Sequence, residues 1–262
     1  MKIDKRGLIL NYIIEAYLSE NSPIGSSDLG LRMEGLIPAS TIRVYFKKLS
    51  DEGALKQLHI SGGRIPTFLT MKKYWEEKLK FKEKIYINDE FLLSKIFDNF
   101  KIYCMIFTSD DEILREVLNF RDRFIILNFD NDELVLKFDS RIFNFLLNLV
   151  GVSLKELEEI STQVGLSILK SKILELKRSK IVFISNEDVI FDIYNDKRFK
   201  MLLDPNITTK FNKNLAFSPL FEPGFMGIKR RIFYKNTDAT MFCAGSVYEN
   251  YDKFFNQIME AA

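Results

Sequence analysis

The sequence predicts an α+β protein of two domains. Three observations carry this. The 262 residues exceed what one small core needs. Helical periodicity recurs three times before residue 55, and beyond residue 80 strand-like and helix-like segments alternate. Hydrophobic residues make up 47%, with only 6 Pro and 12 Gly, which argues against long disordered linkers.

Composition also removes function classes. The single histidine, His59, and two cysteines outside any paired motif exclude a His/Cys metal site. Cys104 and Cys243 lie in apolar runs and read as small buried hydrophobes. No apolar stretch reaches membrane-span length, and Met1-Lys2-Ile3-Asp4-Lys5-Arg6 does not open a signal peptide, so a cytoplasmic protein is expected. Residues 1–80 hold 13 Lys+Arg against 9 Asp+Glu, a net +4, and residues 81–262 carry −2. A small basic head on a near-neutral body fits that asymmetry.

In the head, Ile9, Tyr12, Ile13, Ala16 and Tyr17 mark one face of a first helix. The Asn-Ser-Pro-Ile-Gly break leads to Ser26, an expected N-cap for a short second helix through Met33. After Pro38 a third helix is expected over 39–52, with Ile42, Phe46 and Leu49 inward. Gly53 ends it. Residues 54–60 then read as a strand that turns at Ser61-Gly62-Gly63 into Arg64-Ile65. Three helices and a glycine-tipped hairpin describe a winged helix-turn-helix.

That architecture assigns roles to the outward residues of the third helix. Ser40, Arg43, Val44 and Lys47 share the face opposite the core, with Thr41 and Lys48 beside them. Such a helix lies in the major groove of DNA. Arg43 suits guanine O6 and N7, Val44 a thymine methyl, and Ser40 or Thr41 a base or phosphate. Lys47 and Lys48 suit phosphates, which strengthen binding without specifying sequence. On the wing, Gly63 permits close backbone approach to DNA and Arg64 suits a narrow minor groove. His59 reads either as a donor to DNA or as a plain wing residue, with Ser61 beside it.

The segments Pro23-Ile24-Gly25-Ser26, Ala39-Ser40-Thr41-Ile42-Arg43, Leu49-x-x-x-Gly53 and His59-x-Ser61-x-Gly63-Arg64-Ile65-Pro66-Thr67 resemble HrcA, the heat-inducible transcription repressor family of bacteria. The resemblance implies a homodimer that binds an inverted-repeat double-stranded operator, called CIRCE, upstream of chaperone operons. It further implies release on heat stress and promotion of the active form by the GroEL chaperonin. Pro38, Val44 and Tyr45 depart from the family's usual residues at those positions.

Past a connecting helix over 71–79, strands are expected at 103–107, 124–129, 134–138, 181–184, 229–234 and 239–244, and helices at 110–119, 141–149, 154–176 and 248–259. The resemblance, strongest here at Gly245-Ser246-Val247-Tyr248-Glu249-Asn250-Tyr251, implies a GAF-like α+β domain (81–140 and 206–262) carrying a reduced, mainly helical dimerisation insert (141–205), after a DNA-binding domain with connecting helix (1–80). Asp110-Asp111 and Asp130-x-Asp132 read as turn or cap residues in preference to an acid/base pair, and Lys229-Arg230-Arg231 as a solvated strand edge in preference to a contact with DNA or an anion. No catalytic residue or cofactor is expected. The alternative to the heat-shock repressor is a winged-helix regulator whose GAF-like domain senses a small molecule, as in regulators resembling the IclR family. An enzyme with a DNA-binding head, resembling biotin ligase, would need a Gly-Arg-rich adenylate loop that residues 81–262 do not contain.

Overall fold

The computed structural model describes residues 4–59, 62–81, 84–108 and 112–260. Three helices come first. Helix α1 (Lys5–Glu20) starts at Asp4, whose carboxylate accepts the Arg6 and Gly7 amides, and ends at Asn21 in the left-handed conformation. Its apolar residues point two ways: Ile9, Ile13 and Ala16 enter the head core, while Ile14, with Leu10 and Leu18 beside it, packs on the body. A helix apolar on more than one side is one enclosed between neighbours.

Helix α2 (Ser26–Arg32) is capped by Gly25 without a side-chain bond, so the expected cap Ser26 is instead its first helical residue. Helix α3 (Ala39–Asp51) buries Ile42, Phe46 and Leu49, as its spacing requires. Gly53, at φ +73°, turns the chain into strand β1 (Leu55–Gln57), which pairs antiparallel with β2 (Arg64–Pro66). β1 is shorter than the expected 54–60. The Ala54 carbonyl goes instead to the Thr67 amide and Thr70 hydroxyl, at the entry of helix α4 (Phe68–Lys78).

The body continues with β3 (Ile85–Ile87), α5 (Glu90–Phe97) and β4 (Ile102–Thr108). Next come β5 (Glu116–Phe120), β6 (Phe124–Asn128), β7 (Glu133–Lys137), α6 (Ser140–Leu147), α7 (Leu154–Gln163) and α8 (Ser167–Ser179). The chain closes with β8 (Ile181–Ser185), α9 (Val189–Ile193), two 3-10 turns (Lys197–Met201 and Pro205–Lys210), β9 (Leu215–Ala216), β10 (Phe225–Tyr234), β11 (Thr237–Ser246) and α10 (Tyr251–Glu260).

A mixed sheet runs β3-β10-β11-β4-β8, with β9 also on β10; β3 is parallel to β10 and the other pairs are antiparallel. Alternate side chains feed two cores. On one face Ile102, Cys104, Ile106, Met241 and Cys243 meet Trp75 of α4, Phe97 of α5 and Phe254 of α10. On the other, Tyr103, Met105, Phe107 and Phe242 meet Ile190 and Ile193 of α9, with Phe211 and Phe221. Cys104 and Cys243 stand opposite each other on β4 and β11 as free, buried thiols.

The second sheet, β5-β6-β7, packs with α6, α7 and α8 around a separate core from Leu114 to Leu176. The chain leaves the main sheet after β4 and returns to it at β8, so this block spans about 112–179 where 141–205 was expected. Alternation reveals a strand but not the sheet it joins, because pairing is non-local. Two local readings also change. The described part of 110–119 contains strand β5 instead of a helix, and the expected helix 154–176 is broken by Gly165 at φ +73°. Asp110 and Asp111 lie outside the described residues.

Candidate nucleic-acid interface

The outward face of α3 follows from its inward one. With Ile42 and Leu49 fully buried and Phe46 nearly so, the helix turns Ser40, Arg43, Val44, Lys47 and Lys48 to solvent. Thr41 is half-buried at the margin. Val44 keeps 55% of its surface exposed, unusual for an aliphatic residue in the middle of a helix. Pro38 stands at the N-cap and contributes no side-chain bond.

Among the described residues, ion pairs engage two arginines of the head but none of the cations on this face. Arg6 is bound by Glu52, and Arg32 by Glu20 and Asp28. Among the described residues Arg43, Lys47 and Lys48 enter no ion pair; Lys48 leans over the Tyr45 ring, 5.5 Å from its centroid. Three cations on one helical face without acidic partners attract anions such as phosphate.

The β1-β2 pair lies beside the end of α3. Arg64 is half-buried, and its Nε donates to Ser50 Oγ at 3.2 Å. Ser50, one turn past Lys47, was not singled out from the sequence; its place on the same helix is the only signal that could have found it. Gly63 is glycine for an internal reason. A Cβ there would stand 2.5 Å from the Ile24 carbonyl carbon and oxygen, and its φ is not positive. Ile24 and Arg64 form an antiparallel bridge, exchanging amide-to-carbonyl bonds of 2.9 and 2.8 Å. His59 is exposed, and its carbonyl accepts the Gly62 amide at 2.9 Å. Ser61 lies outside the described residues. The structure thus brings Ser40, Arg43, Val44, Lys47 and Lys48 together on one face, with Arg64 tied to the end of the same helix.

The other motifs resolve differently. Arg230 is buried in the sheet, its guanidinium over the Phe81 and Phe255 rings at 4.8 and 5.4 Å, so of the run 229–231 only the exposed Arg231 fits a solvated strand. Asp130 accepts from the Ile113 amide and Arg115, and Asp132 is held by Lys180. These basic partners are not legible locally because Arg115 lies 15 residues from Asp130 and Lys180 lies 48 residues from Asp132. Lys180 also bonds the fully buried Glu112 at 2.8 Å. Burial, then the Asp132 carboxyl, pushes Glu112 above the usual carboxylate range, while Asp132 is lowered by Glu112 and Lys180.

Comparison with known proteins decides the lineage. The family model of the HrcA C-terminal domain matches residues 75–262. The chain belongs to the HrcA family. The heat-inducible transcription repressor HrcA of Helicobacter pylori strain J99 is 30% identical over 257 residues, covering 98% of this chain and 95% of that protein. The HrcA of strain 26695 is 30% identical over 259 residues, covering 98% and 96%. A solved structure described only as a hypothetical protein at 2.2 Å aligns over 99% of this chain and 96% of its own with a TM-score of 0.51; at 19% identity the likeness extends to the fold alone. The family-model match thus runs from the last turn of α4 through the whole α+β body, and the H. pylori relatives extend the similarity across the head.

Proposed function

We propose that the chain is a dimeric transcription repressor whose first 80 residues are a winged helix-turn-helix reading an inverted-repeat operator of the CIRCE type upstream of chaperone operons. The observation that carries this is the outward face of α3, where Arg43, Lys47 and Lys48 stand without acidic partners around an exposed Val44. In this reading α2 and α3 are the helix-turn-helix pair, β1-β2 is the wing, and the α3 amides that Pro38 leaves uncapped are open to a phosphate. Ser40, Thr41, Arg43 and Val44 meet bases. Lys47, Lys48, His59, Ser61, Gly63 and Arg64 meet the backbone or minor groove.

The homodimer reading is supported by the outward face of β5-β6-β7. Leu118, Phe120, Phe124 and Val135 are each 39% to 48% exposed on that face. Leu118, Ile126 and Val135 form its central row, Glu116, Asn128 and Glu133 the row on one side, and Phe120, Phe124 and Lys137 the row on the other. A two-fold axis through the central row sets the acidic row of one copy against the Lys137 row of its partner, the self-complementarity an isologous interface needs. The block 112–179 is then the dimerisation insert, and residues 81–111 and 180–262 the GAF-like domain.

Family membership supports release on heating and promotion of the active form by the GroEL chaperonin, acting in the cytoplasm. Among the described residues no helix is long and apolar enough to cross a membrane. The small-molecule alternative meets a physical obstacle. Phe211, Phe221 and Phe242 fill one face of the main sheet, and a Cβ on Gly227 would stand 2.3 Å from the Phe221 ring.

Footprinting on an inverted repeat, across temperature and with or without chaperonin, tests the proposal. Protection of both half-sites that fades on heating and is restored by chaperonin is expected. Equal protection of scrambled DNA contradicts it.

A further inference from the structure

One loop of the body reaches onto the head. After β11, Gly245 lies so close to the Lys101 carbonyl that a Cβ would stand 2.9 Å from it, and the Val247 amide donates to Gly224 O at 2.8 Å. The Val247 carbonyl takes the Trp75 indole N–H at 2.7 Å, and the Tyr248 amide bonds Ser246 Oγ at 3.2 Å. Four fixed points make this loop rigid.

Tyr248 projects from it onto the head. Its ring meets Tyr17 of α1 edge-on, with centroids 5.4 Å apart, and its hydroxyl donates to the Pro66 carbonyl at the end of β2 at 3.1 Å. Burial pushes the phenol up to about 12, so the donor stays protonated at any physiological pH. One side chain therefore touches both the helix that carries the head core and the strand pair that flanks α3. Beyond Tyr248, the seat of α1 on the body is apolar: Leu10, Ile14 and Leu18 on its outer face. Apolar contact resists separation but fixes an angle weakly, whereas a hydrogen bond and an edge-on ring contact are directional.

We infer that Tyr248 is a positioning residue that sets the angle of the head on the body, and through it the spacing at which two heads of a dimer engage two half-sites. The spacing part rests on the DNA-binding reading above. The angular part stands on geometry alone.

The test uses the full chain with spin labels at Leu36→Cys and Asp98→Cys, diluted with unlabelled chain; Cys104 and Cys243 are buried and remain unlabelled. Wild type gives one narrow distance distribution. Tyr248→Ala broadens it at least twofold, and Tyr248→Phe, which keeps the ring and loses the bond to Pro66, falls between. On DNA, single-half-site affinity stays within twofold, while preference among inverted repeats whose spacers differ by half a helical turn drops from tenfold or more to below threefold. Thermal unfolding verifies the fold; should Tyr248→Ala not fold, Tyr248→Phe decides. An unchanged distribution overturns the inference. So does a broadened one with an unchanged spacer profile, or half-site and repeat affinities that fall in proportion. If the distribution broadens yet wild type does not distinguish an inverted repeat from scrambled DNA, the DNA-binding reading fails and the angular role of Tyr248 stands.

Discussion

Gly63 and Ile24 lie backbone against backbone: a Cβ on Gly63 would stand 2.5 Å from the Ile24 carbonyl carbon and oxygen, beside the paired amide bonds between Ile24 and Arg64. The segment joining α1 to α2 thereby becomes a third line of the small sheet, and the strand pair is fixed against the helices. Gly63→Ala must push these backbones apart, at a cost of about 1–3 kcal/mol as for other overpacked sites. A lowered unfolding midpoint with weaker DNA binding is the expected outcome. Wild-type values for both would show that the contact does not constrain the β1-β2 pair.

Arg43 and Lys47 should fail differently. Arg43→Ala is expected to cost about 1–3 kcal/mol on the preferred operator and to relax preference at one base pair. Lys47→Ala should weaken binding to all sequences alike and reduce the slope of log affinity against log salt by about one. Fluorescence anisotropy on matched and single-mismatch duplexes at several salt concentrations separates the two. A uniform loss from Arg43→Ala would move that residue to the phosphates.

The Glu112, Asp132 and Lys180 cluster makes a pH prediction with two signs. Glu112 is raised by burial, so acidification from neutral pH toward the usual 4.5 stabilises the fold through this group. Asp132 is lowered, so its contribution is complete above the usual 3.8 and is lost as pH falls through its folded value. Urea midpoints from pH 3 to 7 should therefore lose their gain above 4.5 in Glu112→Gln and part of their acid loss in Asp132→Asn. Lys180→Met, which strands a buried carboxyl, should cost about 2 kcal/mol, less than for a fully enclosed pair because Lys180 is 23% exposed. Identical pH profiles in all variants would contradict the assignment.

The outer face of β5-β6-β7 predicts the assembly state. Val135→Asp and Phe124→Glu place charge in the proposed two-fold contact, where burial without a partner is costly. Sedimentation should shift both variants toward monomer while circular dichroism stays that of the wild type. Dimers of unchanged affinity would locate the interface elsewhere.

What could be read without coordinates was what is local. Ile42, Phe46 and Leu49 define the inner face of α3 and by elimination its outer face, because helical neighbours recur every three to four residues. Of the three strands over 116–137 the second and third are legible as strands and the first reads as a helix, and nothing in their alternation says that they pair with one another while residues 181–185 return to β4. Gly63 was conspicuous as glycine, yet its reason lies 39 residues away in Ile24, and the cation holding Glu112 lies 68 residues on. Helix α1 offered a signal that was only half used. Leu8 to Tyr17 is apolar nearly all round, which marks a helix enclosed by head and body together.

The central claim is that the α3 face reads DNA sequence, and the most direct measurement is the ratio of affinities for an inverted-repeat operator, selected from a random library by the full chain, and for the same duplex scrambled, at physiological salt. The account predicts a ratio of about 10³ or more in wild type, falling roughly 10-fold or more in Arg43→Ala with little change on scrambled DNA. A ratio near one, or a ratio that Arg43→Ala leaves intact, would contradict it.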